Sequence, residues 1–181
     1  TFAMLCTGAG KTEIALSVLA AERTEKTRFL GIAHRKELIH QPRDRVIQHW
    51  QDQLPVPGIV MADQDDCDAE FVVGTIQTLK ESRIRKCLEY GVFTHVWIDE
   101  CHRAPAKTYA ALLDILREAN PGLFVFGVTA TPLRTDKTGL ASVFDSCAYR
   151  FSIDKGIRGG ALAPFRGIGI ELPVDFQNVP K

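Results

Sequence analysis

The sequence has no excess of either charge, no long hydrophobic run and no pair of cysteines at CxxC spacing. Its 181 residues include 22 Lys plus Arg and 22 Asp plus Glu, so the formal net charge is zero. A protein coated with positive charge for nucleic acid is therefore excluded, although local basic faces are not. Because no apolar run approaches the roughly 18 residues of a membrane span, we expect no membrane partner.

The cysteine content argues against a disulfide framework and against a zinc ribbon, since there are five cysteines and none are paired at CxxC spacing. We expect the thiols to be buried as small hydrophobic groups in a reducing compartment, the cytoplasm or, in a eukaryote, the nucleus. The remaining composition, 45% hydrophobic and 24% charged, is that of a globular protein. The length fits one domain.

Apolar runs alternate with helical patterns along the chain, which is typical of βαβ units and a parallel sheet. The predicted strands cover residues 2–5, 28–33, 71–74, 95–98, 123–128 and 165–170. The predicted helices cover residues 11–22, 35–50, 75–89, 107–120 and 153–158. Pro42 predicts a kink or a restart in the second helix. We therefore expect an α/β fold with a central, mostly parallel sheet and helices on both faces.

An acidic stretch covers residues 63–70. It lacks the glycine and the ligand spacing of a calcium-binding loop. The sequence therefore predicts a solvated surface loop here.

A glycine-rich turn joins the first strand to the first helix. It consists of Thr7, Gly8, Ala9, Gly10, Lys11 and Thr12. Glycines let backbone N–H groups approach phosphate oxygens without a Cβ in the way, and the helix N-terminus adds partial positive charge. In this pattern Lys11 reaches the β- and γ-phosphates and the Thr12 hydroxyl binds Mg²⁺. The full P-loop pattern requires Gly where this chain has Leu5, so a plain glycine turn before a helix stays open as the alternative.

Two adjacent carboxylates, Asp99 and Glu100, end the apolar strand over 95–98. A nucleotide hydrolase needs one carboxylate to hold Mg²⁺ and another to orient and deprotonate the attacking water. A parallel sheet brings both carboxylates to the same edge as the glycine-rich turn. An acidic loop at a strand end is the alternative. Cys101 and His102 follow, but no second Cys/His pair has zinc-ligand spacing.

Five sequence blocks resemble, in order, those of the superfamily 2 DEAD/DEAH-box helicases. They are residues 5–12 (motif I), 33–41 (motif Ia), 74–79 (a segment that touches the nucleic-acid backbone), 99–102 (the DEAD/DEAH box, spelled DECH) and 127–134 (motif III, in its TATP form). The spelling is most similar to the DNA-repair and phage-type branch, with RadD-like helicases the nearest. The resemblance implies a RecA-like P-loop domain as the first of two, with the N-terminus truncated and the second domain elsewhere in the parent chain.

The resemblance also implies which residues act. ATP and Mg²⁺ are the implied cofactors, with Lys11, Asp99 and Glu100 catalytic, residues 7–12 around the nucleotide, and Thr12 and Asp99 at the metal. The resemblance implies that His102, Thr129 and Thr131 couple hydrolysis to strand separation. It also implies that Arg35, Thr75 and Gln77 contact the nucleic acid. Two alternatives stay open: His102 is a plain surface histidine, and Thr129 and Thr131 only satisfy backbone groups.

The predicted function is an ATP-dependent helicase motor that acts on nucleic acid, DNA rather than RNA. Two alternatives remain. One is a double-strand DNA translocase of a restriction or remodelling complex, which uses the same blocks without unwinding. The other is an ATP-gated clamp on nucleic acid, which Glu100 disfavours because a pure clamp needs no general base.

Overall fold

The computed structural model describes residues 1–131 and 139–164. Eight strands of these residues form one sheet. They are β1 (Phe2–Leu5), β2 (Phe29–Ala33), β3 (Gly58–Met61), β4 (Gln64–Asp65), β5 (Phe71–Thr75), β6 (His95–Asp99), β7 (Phe124–Thr129) and β8 (Cys147–Phe151). The predicted strand over 165–170 and the end of the block over 127–134 lie outside the described residues.

The strand order is β4-β3-β5-β2-β6-β7-β1-β8, and only the β3–β4 pair is antiparallel. Parallel neighbours require crossover connections, which the helices supply. The helices are α1 (Lys11–Ala21), α2 (His40–Arg45), α3 (Glu81–Leu88), α4 (Lys107–Ala119) and α5 (Ile153–Arg158). The predicted α/β class with a mostly parallel sheet is confirmed.

Helices cover both faces of the sheet. On one face, Leu16 of α1 and Val46 after α2 join a core cluster with alternate residues of the central strands. On the other face, Ile84 of α3 and Leu113 of α4 join a second cluster. Since both faces are covered, every residue of β2 is buried, and its sequence is continuously apolar rather than alternating.

The predicted helix over 35–50 is divided into three segments. A 3₁₀ turn (Lys36–Leu38) precedes α2, and a π-helical segment (Val46–Trp50) follows it. Pro42 lies in the first turn of α2, where a missing N–H costs least. The predicted restart at this proline is therefore confirmed.

The predicted helix over 75–89 is wrong at its start, because α3 begins only at Glu81. Thr75 ends β5, and its carbonyl and hydroxyl accept hydrogen bonds from the N–H groups of Leu79 and Thr78. These bonds form a tight turn, and the Leu79 side chain then packs over Gly74, where an added Cβ would lie 2.9 Å from it. Competition from a side-chain hydrogen bond explains the delayed helix.

The acidic stretch is more than a solvated loop, and this prediction is wrong in part. The Asp65 carboxylate lies 2.9 Å from Arg83 Nε and also contacts Lys86, both on α3. Asp66 Oδ2 accepts a hydrogen bond of 2.9 Å from the Ile59 N–H. These contacts attach the β3–β4 hairpin to α3 and to its own first strand.

One pair of cysteines also departs from expectation. Cys67 and Cys87 form a disulfide between the loop before β5 and α3, although spacing alone gave no sign of a pair. Cys6 and Cys101 are buried free thiols, as predicted, and Cys147 is half-buried. No helix of residues 1–131 and 139–164 is long and apolar enough to cross a bilayer.

Candidate functional site

The turn between β1 and α1 adopts a conformation that favours glycine. Gly8 has φ 84° and Gly10 has φ 73°, both in the left-handed region. The Ala9 N–H donates a 3.1 Å hydrogen bond to the Cys6 carbonyl, which closes the turn. No side chain of the described residues caps α1. The first N–H groups of α1 therefore face a site where an anion would be stabilised.

Lys11 and Glu100 meet at the carboxyl edge of the sheet. Lys11 Nζ lies 3.7 Å from Glu100 Oε1, and both side chains are half-buried. Glu100 follows β6 with φ 49°, an uncommon conformation for a residue with a Cβ. Its N–H donates a 3.0 Å hydrogen bond to Asp99 Oδ1. The structure thus brings the predicted lysine and both predicted carboxylates into one cluster.

The surroundings of the Asp99 carboxyl disfavour its charged form. Burial raises its pKa, the nearby Glu100 charge raises it further, and Lys11 opposes this shift. A carboxylate in this position gains from a bound cation, because the cation offsets both burial and repulsion. The Cys101 thiol stays neutral, since burial and the same two carboxylates raise its pKa to about 12.

Oxygen donors suited to Mg²⁺ surround Asp99. Thr12 and Gln41 line the same narrow cleft as Asp99, and the Thr12 hydroxyl donates a 3.4 Å hydrogen bond to Gln41 Oε1. The described residues contain no group of three or more His, Cys, Asp or Glu side chains arranged so that they alone could hold a metal ion. Mg²⁺ needs no such cluster, because it binds one or two carboxylates together with water and substrate phosphates. The donors therefore fit this ion, and sequence reasoning gave Gln41 no role.

His102 connects the carboxylates to the end of β7. Its Nδ1 lies 2.9 Å from Thr129 Oγ1 and 3.3 Å from Glu100 Oε2. The fully buried Thr129 hydroxyl donates to the Thr131 carbonyl at 2.8 Å. We therefore assign the proton of the His102 ring to Nδ1, from which it is shared between Thr129 and Glu100. Thr131 enters this network through its backbone.

An open cleft of about 750 Å³ adjoins Glu100. Exposed Arg35 lines it beside Glu100 and His102. His34 lies there too, and burial, followed by the charges of Arg103, Arg35 and His102, lowers the pKa of its imidazole. The neutral form of His34 is thus favoured at neutral pH.

The other two predicted nucleic-acid contacts differ in accessibility. Exposed Gln77 donates a 3.3 Å hydrogen bond from Nε2 to the His34 carbonyl, which ties the ends of β5 and β2 together. Thr75 is 1% exposed, and its hydroxyl lies 2.8 Å from the Thr78 hydroxyl. We therefore assign Thr75 a role in shaping the turn instead of the predicted phosphate contact.

Comparisons with known proteins agree with this geometry. A family model described as "Type III restriction enzyme, res subunit" matches residues 2–134. A type I restriction enzyme EcoAI endonuclease subunit of Escherichia coli is 26% identical over 97% of this chain and 22% of its own length. A putative mitochondrial ATP-dependent helicase, irc3, of Schizosaccharomyces pombe is 27% identical over 95% of this chain and 29% of its own length. The chain spans less than a third of either curated relative.

Solved structures share the fold. The Hef helicase domain of Pyrococcus furiosus gives a TM-score of 0.68 at 21% identity, over 82% of this chain and 34% of that one. A nuclease-deletion mutant of the type ISP restriction-modification enzyme LlaGI, in complex with a DNA substrate mimic, gives 0.62 at 16% identity, over 88% of this chain and 18% of that one. The chain therefore belongs to the family of the type III restriction enzyme res subunit and has the fold of the N-terminal RecA-like domain of superfamily 2 helicases.

Proposed function

We propose that this chain binds and hydrolyses Mg-ATP as the first half of a motor that moves on DNA. The observation that carries the proposal is the contact of Lys11 with Glu100, 3.7 Å apart at one sheet edge although 89 positions separate them. A phosphate-binding lysine and a carboxylate suited to activate water are two of the recurring parts of sites that hydrolyse phosphoanhydrides.

Each side chain in the cluster has a separate task. N–H groups of Thr7, Gly8 and Gly10 bind phosphate oxygens, while the Ala9 N–H closes the turn on the Cys6 carbonyl, and Lys11 adds a positive charge. Thr12 and Asp99 hold Mg²⁺, which neutralises charge on the phosphates when it is bound. Glu100 accepts the proton of the attacking water.

Lys11 and His102 hold the Glu100 carboxylate from two sides, through contacts of 3.7 and 3.3 Å. These contacts fix the orientation of the base before reaction, which is where positioning contributes most to rate. The same contacts place the base next to the open cleft that Arg35 lines. We assign that cleft to the nucleic-acid backbone, with Arg35 and Gln77 as donors.

DNA is the proposed polymer because of the relatives. The E. coli relative is a restriction-enzyme subunit, and LlaGI was solved with a DNA substrate mimic. A second RecA-like domain of the parent protein completes the proposed motor, since phosphoryl transfer in this class uses an arginine finger worth about 10³–10⁵ in rate.

The restriction relatives favour one alternative, a double-strand DNA translocase. Both motors hydrolyse ATP faster when DNA is present, whereas a clamp turns over little. The first test is therefore ATP hydrolysis by the full-length parent protein with and without DNA, with Lys11→Ala as the inactive control. DNA-stimulated turnover supports a motor, and its absence contradicts one.

A second assay separates the two motors. A helicase separates the strands of a forked duplex. A translocase leaves the duplex intact and displaces a third strand bound along it. Activity in the first assay supports unwinding, and activity in the second alone supports translocation.

A further inference from the structure

A hollow of about 280 Å³ adjoins the open cleft described above. We name it the α4 hollow, because Thr108 and Tyr109 of the first turn of α4 line it. Gln77, which follows β5, lines it as well. His34 and Arg103 line both the hollow and the cleft. A polymer that lies in the cleft therefore passes next to the α4 hollow.

The Tyr109 hydroxyl is buried and has no hydrogen-bond partner among the described residues. The residue is only 2% exposed, and its ring packs in the core cluster that contains residues of α3 and α4. Burial raises the pKa of Tyr109 to about 12, so the phenol keeps its proton at neutral pH. An unpaired buried hydroxyl costs free energy. A group that accepts a hydrogen bond inside the α4 hollow would remove this cost.

The first turn of α4 leaves further donors unpaired. The helix begins after Ala106, and no side chain of the described residues caps it. The N–H groups of Tyr109 and Ala110 donate to the Ala106 carbonyl at 3.0 and 3.1 Å. Those of Lys107 and Thr108 have no acceptor among the described residues. Free N–H groups and the helix dipole together stabilise an anion at the start of a helix.

The side chains around the hollow add positive charge and another donor. Arg103 lines it, and none of its described lining residues is acidic. After burial, the Arg103 charge is the largest influence on the pKa of both His34 and Tyr109. The Nδ1 of His34 is also buried without a partner among the described residues, and a neutral imidazole donates from Nδ1 in one of its two tautomers. Donors and a positive charge around one hollow select an anion.

We propose that the α4 hollow binds a phosphate group, which a nucleic-acid strand in the adjoining cleft supplies. The strand as the source of the phosphate rests on the proposed function. Phosphate oxygens accept several hydrogen bonds at once, and helix N-termini, tyrosine hydroxyls and arginines all contact the backbone of nucleic acids. The hollow thus gives the protein a second hold on the strand, separate from Arg35 and built on the start of α4.

The stability of a Tyr109 variant separates a binding role from a structural one. Because the hydroxyl is unpaired in the free protein, Tyr109→Phe removes a buried polar group and keeps the ring. The midpoint of thermal unfolding should therefore stay the same or rise. DNA affinity should fall about 10-fold, which corresponds to one hydrogen bond to a charged group. A hydroxyl with a structural role would lower the midpoint instead.

The binding test uses the full-length parent protein and an oligonucleotide just long enough to bind, which fixes the register. Tyr90→Phe is the matched control, because it also removes one phenol hydroxyl, from a residue that is 57% exposed and follows α3. Each phosphate of the oligonucleotide is replaced in turn by a neutral methylphosphonate. We expect one position at which the replacement weakens binding to the wild type and to Tyr90→Phe but adds little to the loss in Tyr109→Phe. Such non-additivity shows that the two groups interact.

Inorganic phosphate tests the other source of the same group. Its binding is measured by calorimetry on the wild type, Tyr109→Phe and Tyr90→Phe. The difference between the first two isolates the α4 hollow from the glycine-rich turn, since Tyr109 is not part of that turn. Weaker binding of inorganic phosphate alone, with DNA affinity unchanged, would keep the anion site and overturn the strand as its source.

Unchanged affinity of Tyr109→Phe for both DNA and inorganic phosphate would overturn the phosphate site and leave the proposed function intact. Weaker binding together with a lower unfolding midpoint would make the hydroxyl structural and would also overturn it. If the wild type binds no DNA and its ATP hydrolysis does not respond to DNA, the proposed function fails instead. The calorimetry with inorganic phosphate then still decides whether the α4 hollow binds an anion.

Discussion

The Nδ1 of His102 lies 2.9 Å from the Oγ1 of Thr129. This contact joins the turn after β6 to the end of β7. Because the same nitrogen lies 3.3 Å from Glu100, which contacts Lys11 in turn, a continuous polar chain runs from the glycine-rich turn to Thr131. A change of charge at one end therefore has a short physical route to the other.

Glu100→Gln should separate nucleotide binding from hydrolysis. The amide keeps the size of the side chain and leaves Asp99 to hold Mg²⁺, but it cannot accept the proton of water. In the full-length parent protein we expect hydrolysis to fall about 10²–10⁴-fold while ATP affinity is retained, as measured by steady-state turnover and calorimetry. Glu118→Gln is the control, since Glu118 is an exposed carboxylate on α4. Normal turnover in Glu100→Gln would remove Glu100 from the role of base.

Thr129→Val should uncouple the motor. The substitution keeps the branched shape and removes the hydroxyl that contacts His102. We expect strand separation or translocation to fall at least about fivefold while ATP hydrolysis changes little. Thr131→Val is the control, because Thr131 takes part in this network through its backbone N–H and carbonyl. Equal losses of both activities would point to a folding or nucleotide-site defect instead.

Asp99→Asn should stabilise the ligand-free protein at neutral pH. Since burial and Glu100 raise the Asp99 pKa above its ordinary value of 3.8, the folded state holds this proton more tightly than the unfolded state. The wild-type free energy of unfolding therefore falls as pH rises from 3.8 through the raised pKa. The variant lacks this pH-dependent loss. Its free energy of unfolding, measured by urea titration, should therefore exceed that of the wild type by an amount that grows over this pH range.

Asp65→Asn supplies the control of opposite sign for that experiment. The hydrogen bond to Lys86 and the charge of the nearby Arg83 lower the pKa of Asp65. Its contribution to the free energy of unfolding is therefore present above the ordinary pKa of an aspartate and is lost as the pH falls. Its asparagine variant should lose stability near pH 7 relative to the wild type. The same sign of effect in both variants would contradict the assigned shifts.

Gly127→Ala should destabilise the fold next to the site. A Cβ on this β7 residue would lie 2.4 Å from the Cys101 Cβ and 2.8 Å from the Phe144 ring. Overpacking of this kind costs about 1–3 kcal/mol, measurable as a lower midpoint of thermal unfolding. Gly139→Ala is the control, because no atom of the described residues lies within 4 Å of its added Cβ. Similar midpoints for both variants would contradict this packing.

Arg35→Ala should reduce DNA affinity for all sequences alike. Removal of one positive charge from a phosphate lowers the slope of log affinity against log salt by about 1. Lys36→Ala is the control, since Lys36 is equally charged and exposed but does not line the cleft. Binding titrations at several salt concentrations measure both slopes. A variant that binds one sequence more weakly and another as well as before would indicate base readout at this residue.

The site near the glycine-rich turn could be predicted from the sequence because its signals are local. An apolar run before a glycine-rich turn locates β1, and an apolar run that ends in two carboxylates locates β6. Parallel strands bring their carboxyl ends to one edge. That rule placed Lys11, Asp99 and Glu100 together before any distance was known. The roles assigned to these residues stay predictions, as does the nearness to RadD-like helicases.

Tertiary packing decided what the sequence could not. β8 is short, mostly exposed and interrupted by Arg150, so its place beside β1 depends on a ladder with a strand that is distant in the sequence. The burial of Thr75 also depends on tertiary packing. The same holds for the contact of Thr12 with Gln41 and for the Cys67–Cys87 bond, which join segments that no local sequence pattern relates. Periodicity and turn residues report the conformation of neighbours along the chain. Contacts between distant segments are set by which surfaces pack, and only the folded chain fixes those.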